Sequence, residues 1–187
     1  MTMTDADCYK KIVSSLINYE LVVAGYRSGA IIDFVPCKSV LYSPTNMSSG
    51  RTFLILNKDS SQELKTLMSS LPSLWTSNKE SYHIAIGKLL GYTEPANIAV
   101  RDTTKKSVGI SVRGVFKGET IRIQIAPQLV SEANFSKAMD TLNQLKSHVE
   151  SLEIPGFQLQ SVTVYDDVSR AGGRRRTRKT RRNRKPI

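Results

Sequence analysis

Cysteine is nearly missing from this chain, with Cys8 and Cys37 the two in 187 residues. Two cysteines without a spaced framework read as free thiols in a reducing compartment, a single Cys8–Cys37 bridge being the alternative. Histidine is equally scarce, at His83 and His148. Zinc takes its ligands in clustered pairs, and Cys8, Cys37, His83 and His148 offer no such spacing, so no metal site is expected from them. No apolar run approaches the roughly 20 residues that cross a bilayer, so no transmembrane segment is expected. The longest candidates, 12–17 and 85–90, are short and interrupted by polar side chains. Residues 1–7 lack both the positive and the apolar region of a signal peptide. The last absence is local: from Arg170 to Ile187 there is no acidic residue at all.

The chain as a whole is ordinary in composition for a globular protein, 40% hydrophobic and 23% charged, enough for residues 1–168 to bury a core. Tyr9, Ile12, Val13, Leu16 and Ile17 form one stripe at helical spacing and predict a helix over 5–18, capped by Thr4 or Asp5. Three β-rich segments follow, at 20–26, 30–35 and 39–42, with Arg27-Ser28-Gly29 placed as a hairpin turn between the first two. Residues 43–50 are a loop by composition. Residues 52–57 set Phe53 and Ile55 on one face and Leu54 and Leu56 on the other, as a central strand does. Ser60-Ser61-Gln62-Glu63 and Ser77-Asn78-Lys79-Glu80 read as capping boxes opening two helices. Pro72 is expected to end the first helix, and Gly91 to take the left-handed position after the second.

Further strands are expected at 97–101, 107–113 and 120–126. The last alternates Ile121, Ile123 and Ile125 with Arg122 and Gln124, one face buried and one wet. A helix over 131–152 spaces Phe135, Ala138, Leu142, Leu145, Val149 and Leu152 in three- and four-residue steps, with Met139 alongside. Its roughly two and a half heptads are short for a coiled coil, so the seam is expected to pack on the protein's own sheet. Residues 157–165 close the body as a strand. Strands interspersed with helix pairs, without regular βαβ alternation, indicate an α+β fold: one compact domain of about four helices and a mainly antiparallel sheet.

The body offers little chemistry. Gly25–Gly29 and Gly114–Gly118 lack the Lys-Ser/Thr ending and the helix of a phosphate-binding loop. Neither histidine neighbours a nucleophile motif. Asp33, Asp102, Asp166 and Asp167 lie at or near strand ends, where aspartate forms turns. Grouped in space, they would instead hold Mg²⁺ for nuclease chemistry, the third reading of the chain. The expectation is a non-enzyme without catalytic centre, metal or cofactor.

Charge carries the positive signal. Ten of the 27 basic side chains lie in the last eighteen residues, and the other 17 balance the 16 acidic ones to about +1, so nearly all of the net +11 is in the tail. Arg170, Arg174, Arg175, Arg176, Arg178, Lys179, Arg181, Arg182, Arg184 and Lys185 are the expected polyanion-binding residues. Arginine outnumbers lysine there, favouring planar two-pronged contact with phosphate. The tail has no apolar surface to offset ordering, so 169–187 is expected to be flexible alone, hinged at Arg170-Ala171-Gly172-Gly173. Thr177, Thr180 and Asn183 recur every third residue. A Gly-Gly pair followed by Arg/Lys/Thr triplets resembles endings found on proteins of nucleocytoplasmic large DNA viruses of algae and protists, virion components among them. The resemblance implies a virion structural protein, minor and capsid-associated. Its body would dock on other virion or capsid proteins on the inner capsid side, in host cytoplasm or nucleus during assembly. Its tail would meet DNA, RNA, an anionic membrane surface or an acidic protein surface. A non-structural nucleic-acid-binding accessory protein is the second reading.

Overall fold

The computed structural model describes residues 4–34, 40–44, 52–94 and 105–166. Helix α1 (Asp5–Val23) is followed by strands β1 (Gly29–Ile32), β2 (Val40–Pro44) and β3 (Phe53–Asn57). Helices α2 (Gln62–Ser77) and α3 (Lys79–Leu89) come next, then β4 (Lys106–Phe116), β5 (Glu119–Val130), α4 (Glu132–Ser151) and β6 (Phe157–Asp166). Among the described residues the strands form two antiparallel sheets of three, ordered β1-β3-β2 and β5-β4-β6. The α+β class, the four helices and the antiparallel pairing agree with the sequence reading. The division into two sheets is additional to it. The expected strand at 97–101 lies outside the described residues.

Adjacent residues of α1 explain how two sheets share one body. Val13, Ile17 and Leu21 recur every fourth residue and are buried against β4, β5 and α4. Tyr19 and Val22 face the other way, into a core with Ala30, Ile32, Val40 and Ile55. Helix α1 is therefore the layer between the sheets, and burying each of its large side chains contributes about 1.5–3 kcal/mol. This position also overturns the expected strand at 20–26. The 13, 17, 21 spacing continues the helix through Val23, and tertiary burial outweighs the β propensity of Leu21-Val22-Val23. Residues 27–29 are correspondingly not a hairpin turn. Gly25, at φ +77°, ends the helix, with Gly25 N–H donating to Val22 O (3.1 Å) and Tyr26 N–H to Leu21 O (3.0 Å).

Strand β3 is central, as its two apolar faces indicated. Ile55 and Phe53 join the α1 side, while Leu54 and Leu56 pack with Met68, Leu71, Tyr82, Ile86 and Leu89 of α2 and α3. Both caps fall one residue later than the boxes predicted. Ser61 accepts from Leu64 N–H, and Asn78 accepts from Ser81 N–H at 3.0 Å. Ser77 completes α2 and turns its hydroxyl back to Ser73 O, leaving Asn78 to serve both helices. Pro72 does not end α2 but sits within it, on the exposed side. The hydroxyls of Ser69, Ser70, Ser73 and Thr76 line the same helix and bond to its carbonyls. Gly91 takes the left-handed position as expected, at φ +70°.

The second sheet follows the sequence closely. Ile121, Ile123 and Ile125 are buried and Arg122 and Gln124 exposed. Ala138, Leu142, Leu145 and Val149 of α4 are buried on the same side of the sheet, so the heptad seam packs within the chain. Lys117 and Gly118, both at positive φ, make the two-residue turn joining β4 to β5. Ala126, at φ +51°, marks a bulge where the β4–β5 register shifts by one residue, and Pro127 next to it is exposed.

Candidate functional site

The expected polyanion-binding residues, Arg170 to Lys185, lie outside the described residues, as do Cys37, Asp102 and Asp167. Of the remaining candidates, Cys8 is a half-buried free thiol. Asp33 follows β1, where Lys11 Nζ lies 3.6 Å from its carboxylate and Ser15 Oγ accepts its backbone N–H. Asp166 ends β6 in the other sheet, opposite Val108. Among the described residues no group of three or more His, Cys, Asp or Glu side chains is placed to hold a metal.

The two histidines differ from each other. His83 sits beside the buried stripe of α3, edge-on to Tyr82, with Nδ1 buried and without a partner among the described residues. His148 lies in the last turn of α4. It is half-buried and stacks on Tyr26, ring centroids 3.5 Å apart and planes 7° from parallel. The stack joins the exit of α1 to the last turn of α4, a contact between residues 122 apart in the chain that local spacing cannot encode.

Sequence reasoning passed over Glu94, whose carboxylate holds three elements together. It accepts from Lys105 Nζ at 2.6 Å, from Ser131 N–H at 2.8 Å and from Asn134 Nδ2 at 3.1 Å. Ser131 precedes α4 without a side-chain cap of its own, so Glu94 supplies the anion at that helix's positive end. Lys105 first, then Ser131, hold the carboxyl down to about 2. Nearby, Thr93 N–H donates to Gln128 Oε1. The group ties the segment after α3 to the β5–α4 junction. Its chemistry is that of a clasp, because every oxygen is committed to a donor.

The open side of the β5-β4-β6 sheet is the surface with unspent chemistry. Helices α1 and α4 both pack on the other side. Strand alternation sends Ser111, Arg113, Arg122, Gln124, Ser161 and Thr163 to the open side, where Arg113 stands directly opposite Arg122 and next to Ser161. All but Ser111 are exposed. Ser111 is buried, and its Oγ accepts from Arg122 Nε at 2.8 Å, which fixes that guanidinium. Neither arginine forms an ion pair with a described carboxylate. Two cations paired across a ladder repel, and the pair persists at a local cost. Arg122 was visible in the sequence only as the wet half of an alternating strand.

No described helix is long and apolar enough to cross a membrane. No protein-family model, no curated protein and no solved structure matches this chain.

Proposed function

We propose that this protein is a non-enzymatic, capsid-associated virion component of a large DNA virus that grips a polyanion through its arginine-rich tail. The observation that carries the reading is charge segregation: ten cations and no acid in the last eighteen residues, behind a body near neutrality. The body, two sheets around a shared helix, serves as a docking unit for other virion proteins. A tail of this composition takes its binding energy from phosphate contacts and counterion release. The resemblance of its Gly-Gly and Arg/Lys/Thr triplets to endings of large-DNA-virus proteins supplies the virion setting. A non-structural nucleic-acid-binding accessory protein uses the same tail without entering the particle.

Two measurements test this. The protein should be present at fixed stoichiometry in purified particles; presence in infected cells alone favours the accessory role. Removal of residues 170–187 should leave the body folded and abolish most salt-sensitive binding to nucleic acid. Replacing the tail arginines by lysine should keep the dependence on salt and weaken affinity, since the forked phosphate contacts are lost while the charge stays. Equal binding by the truncated and whole chains would remove the polyanion role from the tail.

A further inference from the structure

We infer that the open face of the β5-β4-β6 sheet is a second nucleic-acid contact, with Arg113 and Arg122 gripping backbone phosphates. The inference rests on the polyanion reading above and extends it from the tail to the body. Three observations carry it. First, Arg113 and Arg122 are exposed and directly opposed across the β4–β5 ladder, a juxtaposition that isolated sheets disfavour and that an anion between them reverses. Second, Ser111 holds Arg122 in place from beneath, so the guanidinium is oriented before any ligand arrives. Third, the exposed neighbours on the same face are Thr120, Gln124, Ser161 and Thr163, amide and hydroxyl groups without a carboxylate among them, while Val115 and Tyr165 beside them are half-buried. Arginine with serine, threonine and glutamine is the side-chain set that contacts phosphate and sugar in nucleic-acid complexes. A membrane surface is the weaker match, because binding there draws on exposed apolar side chains, and Val115 and Tyr165 on this face are half-buried.

Continuity with the tail supports the same partner. β6 runs from this face to Asp166, and Arg170 is four residues further on. Four residues span at most about 14 Å of chain, so the first tail cation follows closely in sequence on the end of β6. One strand of nucleic acid can therefore meet face and tail together.

The test is the salt dependence of binding to a mixed-sequence DNA duplex, measured on the full chain. Loss of two phosphate contacts in Arg113→Gln/Arg122→Gln should lower the slope of log K against log salt by about 2. The loss of affinity between about 50 and 200 mM salt should then be about tenfold smaller than in the parent. Arg113→Lys/Arg122→Lys should keep the slope. The Arg113 side chain forms no hydrogen bond or ion pair with a described residue, so Arg113→Gln alone should lower the slope by about 1 without structural cost, and it decides the matter if the double variant fails to fold. An unchanged slope in the Gln variants, with a large fall on tail deletion, overturns the face while leaving the tail reading intact. An unchanged slope in both overturns both. Weakened binding to phosphatidylserine vesicles with DNA binding intact would assign the face to a membrane and also overturn the inference.

Discussion

Glu94 sits in an environment that the sequence does not show. Its carboxyl is held near 2, against an ordinary value of 4.5, by Lys105 and the donors at the start of α4. A carboxylate with a depressed folded value stabilises fully above its unfolded value, and that stability is lost as pH falls through the folded one. Screened by solvent, Glu94 should therefore contribute on the order of 1–2 kcal/mol at neutral pH, lost progressively as pH falls from about 4.5 to about 2. Urea melts of Glu94→Gln across that range should show lower stability at pH 7 and a flatter acid limb. Equal acid limbs for parent and variant would refute the clasp. Close packing makes a second residue-scale demand at Gly114, where an added Cβ would collide with the Gln158 carbonyl oxygen and the Phe157 ring. Gly114→Ala should destabilise by about 1–3 kcal/mol, read as a shift in urea midpoint at constant slope.

Helix ends and interruptions set the predictions at the scale of elements. Gly25 has open space where a Cβ would be added, so Gly25→Ala tests backbone conformation alone. A cost of about 1 kcal/mol is expected from the left-handed geometry at the end of α1. No cost would mean that the helix ends differently in solution. Pro72 is the reverse case, an exposed proline inside α2 that withholds one backbone N–H. Pro72→Ala should leave α2 in place and raise stability by about 1–3 kcal/mol, whereas destabilisation would show that the helix depends on the proline's shape. Local signals located most elements but missed their ends. Serine and asparagine all cap well, so the two boxes gave the right helices and the wrong cap residue. Pro72 was misread because a proline's local preference was weighed without the burial of Met68 and Leu71, one turn and one residue before it, which holds the helix in place across the proline.

At the scale of the molecule, α1 is the shared layer. Ile17 is about fully buried against the β5-β4-β6 sheet, and Val22 against the β1-β3-β2 sheet, on one continuous helix. Unfolding should accordingly be one cooperative transition. Ile17→Ala should lower its midpoint by an amount equal to about 2–5 kcal/mol without splitting it. Two resolved transitions by near- and far-ultraviolet dichroism would show that the sheets are independent.

By itself the sequence determined whatever depends on neighbours within a few residues. That includes the buried stripes of α1 and α4, the alternation of Ile121, Ile123 and Ile125, the central character of Phe53–Asn57, and the segregation of charge into the last eighteen residues. Tertiary structure alone decided three things: that residues 20–23 are helical, that the strands divide into two sheets, and that Arg113 stands opposite Arg122. Each is a choice of partner, made by burial and strand register between segments distant in the chain. Spacing tells a strand which of its faces is apolar, but only the packing of α1 and α4 on one side leaves the two arginines on the other.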